Sequence, residues 1–226
     1  MGDPIRKAAL YDAVARTGKA LGSGKRLELL DLLAQGERTV DALAAAAGLN
    51  LTTASAHLQT LKQAGLVSTR RDGVRIHYRL ASDEVAALYA LLRSVAQAHQ
   101  PGVDAARRAY LGDGPAEEVG RAELLARARA GEVVVLDVRP AHEYEAAHIP
   151  GALSIPVAQL AGRLAELPAD MAVVAYCRGA YCVMAQDAVQ LLSEHGRRAA
   201  RLADGMLEWR LAGLPVETGV PAHAPS

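Results

Sequence analysis

The stretch T-V-D-A-L-A-A-A-A-G-L-N-L-T-T-A-S-A-H-L-Q-T-L-K-Q-A-G-L-V occupies residues 39–67 and decides the fold of the first half of the chain. Thr39 and Asn50 are suitable N-caps, and the pattern predicts one helix starting after each of them. Gly48 and Gly65 follow the two helices, as glycine commonly does at a helix C-terminus. Two short helices joined by a tight turn that contains glycine form a helix-turn-helix.

The residues on either side extend this motif. Apolar residues recur at helical spacing over 5–18 and 27–33, which predicts two preceding helices. Residues 66–70 and 74–80 are predicted to be two strands joined by a tight turn at 71–73, which together make a wing.

A long helix is predicted after the wing. Ser82 and Asp83 can cap it, and Pro101 with Gly102 is expected to end it. Its apolar positions form a stripe that is available for packing against a second copy of the chain. We therefore expect a homodimer.

Charge is distributed unevenly along the chain. Residues 1–100 carry 13 basic and 9 acidic residues, a net charge of +4, whereas the remainder has a net charge of −4. Only the first part suits a polyanion. No apolar run approaches the ~20 residues of a membrane span, and Asp3, Arg6 and Lys7 interrupt the start, so we expect a cytoplasmic protein without a signal peptide or membrane partner.

The spacing S-x-H-L-x-x-L-x-x-A-G-L-V at 55–67, with the preceding helices and the wing, resembles the ArsR family of winged-helix repressors. The resemblance implies binding to double-stranded operator DNA. Ala54, Leu58 and Leu61 share the face that anchors the second helix to the core. The residues left to meet base edges or phosphates are Thr52, Thr53, Ser55, Ala56, His57 and Gln59. The wing residues expected to contact phosphates are Arg70, Arg71 and Arg75, together with His77 and Arg79.

Two alternatives apply to this half. It could be a helical interaction module whose arginines form an ordinary solvated face, and in the family the His57 position often fixes the helix by packing. Metal sensing is not expected, because no cysteine precedes Cys177 and the last helix offers only Asp83, Glu84 and His99, without the spacing of a zinc site. No cofactor is expected either.

The second half alternates strands and helices, and its buried runs are continuous, which predicts an α/β domain with a mainly parallel sheet. The predicted strands are 133–138, 152–155, 172–176 and 199–202, and the predicted helices are 121–130, 141–147, 157–165 and 181–194. The predicted domains are a DNA-binding and dimerisation domain over 1–102, a linker over 103–116, the α/β domain over 117–217 and a disordered tail over 218–226.

Three segments of this half resemble a rhodanese domain. They are V-V-V-L-D-V-R-P-A-H-E-Y-E-A-A-H-I-P-G-A-L-S-I-P at 133–156, V-V-A-Y-C-R-G-A-Y-C at 173–182 and D-G-M-L-E-W-R-L-A-G-L-P-V-E at 204–217. The resemblance implies a sulfur-handling loop around Cys177, with Asp137 and Arg139 supporting it. Backbone N–H groups and the helix predicted to open near Tyr181 are expected to favour a Cys177 thiolate that attacks sulfane sulfur. Arg178 is expected to assist an anionic donor such as thiosulfate.

The loop departs from the usual rhodanese pattern C-R-x-G in two ways. Gly179 comes one place early, with Ala180 at the glycine position followed by Tyr181, and Cys182 takes a position that is often basic. The form C-R-G-x-Y-C resembles that of rhodaneses fused to ArsR domains. Cys182 is either an inert buried residue or a second thiol that displaces a Cys177 persulfide.

Three functions remain open from the sequence. The first is a DNA-binding transcriptional regulator that acts as a repressor. Its Cys177 forms a persulfide with sulfane sulfur from a small donor, thiosulfate or a persulfide, and thereby senses or transfers that sulfur. The second is a rhodanese-type sulfurtransferase in which the winged helix serves for dimerisation or recruitment. The third is arsenate or phosphate-ester chemistry, which the short loop disfavours because such sites normally use a larger one.

Overall fold

The computed structural model describes residues 3–112 and 117–220. The chain divides into two compact units, Met1–Leu91 and Leu92–Ser226. Residues 113–116 of the predicted linker and residues 221–226 of the predicted tail lie outside the described residues. Within the described residues, no helix has both the length and the apolar character needed to cross a membrane.

The first unit is a winged helix-turn-helix, as predicted. Its elements are α1 (Pro4–Leu21), α2 (Gly24–Ala34), β1 (Arg38–Thr39), α3 (Val40–Ala46), α4 (Leu51–Gln63), β2 (Val67–Asp72), β3 (Arg75–Leu80) and the start of α5 (Asp83–His99). The strands form an antiparallel sheet in the order β1-β3-β2, with β2 and β3 as the wing.

Local signals in the sequence position the helix-turn-helix. The Asn50 side chain accepts a hydrogen bond from the Thr53 N–H at 2.8 Å, so the predicted N-cap of α4 is confirmed. Gly65 has a φ of 74°, a left-handed conformation that glycine adopts without steric cost, and the chain turns there from α4 into the wing. Leu58 and Leu61 are fully buried and anchor α4 to the core of the unit.

The second unit is an α/β domain. Its elements after α5 are α6 (Pro101–Leu111), β4 (Glu118–Val119), α7 (Arg121–Arg129), β5 (Val133–Asp137), α8 (Ala141–Ala146), β6 (Leu153–Ser154), α9 (Val157–Leu160), a 3-10 helix (Ala161–Glu166), β7 (Ala172–Tyr176), α10 (Met184–Glu194), β8 (Ala199–Leu202) and α11 (Met206–Leu211). Among the described residues, five parallel strands form one sheet in the order β4-β8-β7-β5-β6.

Apolar side chains cover both faces of this sheet. Val135 and Val174 belong to the cluster on one face, which contains the fully buried Trp209. Leu136 and Ala175 belong to the cluster on the other face, which contains Cys177. Burial on both sides explains the continuous apolar runs in the strands, so the predicted parallel sheet is confirmed.

One of two predicted boundaries was confirmed and the other was wrong. The helix α5 ends at His99, before Pro101, as predicted. Pro101 opens the next helix, α6, because proline is well tolerated at the first position of a helix, where its missing N–H needs no partner. The helix α10 begins at Met184 rather than near Tyr181, because residues 181–183 remain in the loop.

Candidate functional site

The helix α4 presents the predicted DNA-contacting residues on the face opposite its buried anchor. Thr52, Ala56 and Gln59 are exposed, whereas Thr53, Ser55 and His57 are half-buried. Gln59 already has a partner, because its Nε2 donates a hydrogen bond to the hydroxyl of buried Tyr78 at 3.1 Å. This bond ties α4 to the wing strand β3, so Gln59 helps orient the helix in this structure.

The wing arginines differ in their surroundings. Arg70 makes a bidentate ion pair with Glu37, with Nη2–Oε1 at 2.5 Å and Nε–Oε1 at 3.0 Å. The hydrogen bond from Arg70, followed by the charges of His77 and Arg79, lowers the pKa of Glu37 and keeps it ionised. Glu37 was not among the residues that the sequence singled out. Its carboxylate occupies the Arg70 guanidinium that was predicted to contact phosphate.

The other three predicted wing arginines, Arg71, Arg75 and Arg79, are exposed. Arg71 donates from Nε to the carbonyl oxygen of Gly73 at 3.0 Å, which leaves most of its guanidinium toward solvent. Arg75 is exposed at the start of β3, directly opposite Asp72 in the ladder. The wing therefore offers cations beyond Arg70 for sequence-independent phosphate contacts.

The cysteine loop spans residues 177–183, between the end of β7 and the start of α10, at the carboxyl edge of the parallel sheet. The N-terminus of α11 holds it, because the Met206 N–H donates to the Cys177 carbonyl at 3.0 Å and the Leu207 N–H donates to the Arg178 carbonyl at 3.3 Å. A Cβ at Gly205 would overlap the backbone of Gly179. Gly205 is thus a support of the loop that sequence reasoning missed.

The sulfur of Cys177 lies in a closed environment. Its side chain is 2% exposed, and Sγ lies 3.5 Å from the Cys182 carbonyl oxygen and 3.8 Å from that of Gly179. Burial, followed by the neighbouring Cys182, raises the pKa of the Cys177 thiol well above its ordinary value, against smaller opposite effects of backbone hydrogen bonds at Ala185 and Gly179. This shift disfavours a Cys177 thiolate in the present arrangement of the loop, so the expected thiolate stays a prediction.

Cys182 is less buried than Cys177, and its pKa is shifted in the opposite direction. It is half-buried, and its N–H donates to the Gly179 carbonyl at 3.0 Å, which closes a turn inside the loop. A hydrogen bond from the Cys177 thiol lowers the pKa of Cys182, helped by backbone hydrogen bonds at Arg178 and Met184. Both cysteines are free, and the pKa of Cys177 is raised whereas that of Cys182 is lowered.

Arg178 is neutralised by an acid that the sequence did not reveal. Its Nε lies 3.0 Å from both carboxylate oxygens of Glu143, and its Nη2 lies 2.6 Å from Oε1. Glu143 is 1% exposed on α8. The Arg178 side chain is partly exposed, but a bidentate ion pair to a buried carboxylate holds the guanidinium in place, so Arg178 brings little net positive charge to a donor at the loop.

Asp137 and Arg139 form a second ion pair in which both side chains are fully buried. Arg139 also donates from Nη2 to the Ala147 carbonyl at 2.7 Å. Although burial alone lowers it, the hydrogen bond and charge of Asp137 raise the pKa of Arg139 above its ordinary value. The pair ends β5 beside β7, whose last residue precedes Cys177, which suits the predicted supporting role.

The remaining predicted loop residues, Ala180 and Tyr181, are half-buried beside Cys182. The described part of the chain gathers no group of three or more His, Cys, Asp or Glu side chains that could hold a metal ion. The site in the second unit is therefore a pair of thiols within a loop, framed by two buried ion pairs.

A winged helix-turn-helix followed by a parallel α/β unit with such a cysteine loop defines a two-domain transcriptional regulator. The profile of the bacterial regulatory protein family arsR matches residues 23–69, and that of the Rhodanese-like domain matches residues 121–212. The chain is 60% identical over 220 residues to the HTH-type transcriptional regulator Rv0324 of Mycobacterium tuberculosis, covering 97% of each chain. The protein therefore belongs to the ArsR family of transcriptional regulators and carries a C-terminal rhodanese-like domain.

Two further similarities cover one part of the chain each. A protein named Sulfurtransferase from Allochromatium vinosum is 34% identical over 86 residues, which is 38% of this chain and 78% of that protein. A solution structure of the homodimeric winged helix-turn-helix DNA-binding domain of Mb0332 from Mycobacterium bovis is 60% identical, with a TM-score of 0.41, and covers 44% of this chain and 93% of that one.

Proposed function

We propose that this protein is a cytoplasmic, homodimeric repressor whose affinity for operator DNA changes when Cys177 carries a persulfide. The observation that carries the proposal is the pairing of Cys177 with Cys182 in one loop, in a chain that begins with a winged helix. A coupled pair of thiols has three accessible states, namely dithiol, persulfide and disulfide. A regulator needs such a change of state.

Persulfide formation requires a thiolate that attacks a sulfane sulfur and expels the donor's leaving group. If the other thiol then attacks the inner sulfur of the persulfide, which is the Sγ of the loaded cysteine, a disulfide forms and hydrosulfide leaves. Both outcomes change the packing of a loop that the N-terminus of α11 holds through the carbonyls of Cys177 and Arg178.

An alkyl persulfide suits this loop better than thiosulfate as the sulfur donor. Thiosulfate is a dianion, and its binding requires a cation whose charge is available. Arg178 is paired with buried Glu143, so the loop contributes little net charge to attract the anion.

Exposed apolar residues support the dimer. Leu10 and Val14 of α1 and Leu88 and Leu91 of α5 are each between 38% and 64% exposed. Apolar surface of this kind on two helices is suited to burial against a second copy of the chain. A dimer would present two copies of α4 to successive turns of the major groove.

The proposal is tested by a mobility-shift assay with duplex DNA selected from a random pool. Reduced protein is expected to bind it, and treatment with an alkyl persulfide is expected to change the affinity in the wild type but not in Cys177→Ser. Equal affinities for the reduced, persulfidated and Cys177→Ser proteins would refute the coupling.

A second candidate is a sulfurtransferase in which the winged helix serves for dimerisation or recruitment. The similarity to a protein named Sulfurtransferase favours it. Steady turnover of a persulfide to a thiol acceptor that is lost in Cys177→Ser, together with no sequence preference in the DNA selection, would support this reading over the regulator.

A further inference from the structure

The two thiols of the cysteine loop differ in how a donor can approach them. Cys177 is 2% exposed, belongs to the apolar cluster under the sheet, and has its sulfur beside two carbonyl oxygens. Cys182 is half-buried and only packs against the edge of the same cluster. Transfer of a sulfane sulfur needs direct contact between the attacking sulfur and the sulfur that moves. Of the two cysteines, Cys182 is the more exposed to such contact.

The state of charge agrees with this difference in access. The Cys177 thiol donates a hydrogen bond to Cys182, which lowers the pKa of Cys182 and raises that of Cys177. The direction of both pKa shifts favours a thiolate on Cys182 over one on Cys177. Since the thiolate is the nucleophile in sulfur exchange, accessibility and charge favour the same residue.

We propose that Cys182 is the entry nucleophile of the loop, which takes the sulfane sulfur from a low-molecular-weight persulfide and passes it inward to Cys177. This inference rests on the proposed function, in which Cys177 holds the persulfide. It changes the role of Cys182 from a residue that acts on a loaded Cys177 to the residue that loads it.

Both steps balance without an external oxidant or reductant. The Cys182 thiolate attacks the outer sulfur of R–S–S–H, the bond between the two donor sulfurs breaks, and the thiolate R–S⁻ leaves and takes a proton from water. Cys182 then carries the persulfide. In the second step Cys177 attacks the terminal sulfur, the bond from Cys182 to that sulfur breaks, and the proton of Cys177 moves to Cys182.

The relay separates capture from storage. A persulfide on Cys182 lies where solvent thiols can remove its sulfur, whereas a persulfide on Cys177 lies in the buried cluster. Burial slows exchange with solvent thiols because they must also reach the sulfur. Cys177 would therefore retain the sulfur atom after the donor has gone.

The relay is tested on the full-length protein by a quenched time course with an alkyl persulfide. Thiols and persulfides are trapped by iodoacetamide, and mass spectrometry locates the gain of about 32 Da on each cysteine. In the wild type the gain is expected first on Cys182 and later on Cys177. Cys177→Ser is expected to accumulate it on Cys182, and Cys182→Ser to load Cys177 at least about tenfold more slowly.

Controls separate the relay from damage to the fold. Ser193 is exposed on α10, so Ser193→Ala is expected to load like the wild type. The fluorescence of buried Trp209 reports whether each variant keeps its packed second unit. Loading of Cys182→Ser at the wild-type rate, or first labelling of Cys177 in the wild type, overturns the relay while leaving the proposed function standing. Absence of sulfur from both cysteines in the wild type overturns the proposed function.

Discussion

Replacing Asp137 by asparagine is expected to destabilise the second unit strongly. Both Asp137 and Arg139 are fully buried. The carboxylate accepts from the Arg139 backbone N–H at 3.0 Å, from Nε at 3.0 Å and from Nη2 at 2.6 Å. An asparagine side chain has no charge and has one acceptor oxygen, so at least one guanidinium N–H faces an amide N–H instead.

The magnitude follows from the burial of both partners. Breaking a buried ion pair by removing one charge costs about 3–5 kcal/mol, because the other charge is left uncompensated. Domains of this kind are stable by about 5–15 kcal/mol in total. With a urea dependence of about 1–3 kcal/mol per molar, the unfolding midpoint of the second unit is expected to fall by roughly 2 M.

Trp209 makes the measurement specific. It is the single tryptophan of the chain and is fully buried in the second unit, so its fluorescence follows the unfolding of that unit. Asp170→Asn makes the same chemical change at an exposed position and is the matched control. The double variant Asp137→Leu with Arg139→Met removes both charges and is expected to recover much of the loss.

A free energy of unfolding for Asp137→Asn within roughly 0.5 kcal/mol of that of the control would refute this reasoning, because such a difference is typical of surface substitutions. A double variant as unstable as Asp137→Asn would show that shape, rather than the unpaired charge, determines the cost.

Three further substitutions test the ion pairs and the loop. Glu37→Gln is expected to free Arg70 for a phosphate, which strengthens DNA binding and steepens the slope of log affinity against log salt by about 0.9; an unchanged slope in fluorescence anisotropy would contradict this. Glu143→Gln leaves Arg178 with uncompensated charge, so the rate of sulfur loading from thiosulfate is expected to increase relative to the rate from an alkyl persulfide. Mass spectrometry follows both rates, and an equal change for the two donors would argue against this reasoning. Gly205→Ala forces the cysteine loop to move, so alkylation of Cys177 is expected to be faster than in the wild type. Alkylation of Cys177 at the wild-type rate would show that the loop keeps its conformation.

The helix-turn-helix could be predicted from the sequence because its signals are local. The N-cap bond of Asn50 spans three residues, and the turn at Gly65 depends on the conformational freedom of that residue alone. The strands β7 and β8 were predicted with their observed bounds. β7 is a short continuous apolar run, which indicates a buried strand, whereas Arg201 interrupts the apolar residues of β8.

The ion pairs could not be predicted because they join distant parts of the chain. Glu37 and Arg70 are 33 residues apart, and Glu143 and Arg178 are 35 residues apart. No periodicity or cap marks such pairs in a sequence. As a result, the sequence identified Arg70 and Arg178 as cations while their neutralising partners became visible only in the fold.

The backbone groups that surround Cys177 could not be predicted for a related reason. The position of Cys177 between a strand and a helix suggested a thiolate stabilised by backbone N–H groups. The helix starts later, at Met184, and the turn closed by the Cys182 N–H directs two carbonyl oxygens toward the sulfur. Seven loop residues contain too little pattern to decide which backbone groups face inward.

The strand order of the second unit determines when the nascent chain can fold. β4 is the first strand of its sheet to be synthesised, yet its neighbour is β8, the last one. The sheet of the second unit therefore stays incomplete until residue 202 has left the ribosome, whereas the wing needs nothing beyond residue 80. Domains generally fold in the order of their synthesis, and such distant pairings are slow to form. The winged-helix half is thus expected to fold first, and each newly made molecule passes through an interval in which that half is complete while the cysteine loop has not yet formed.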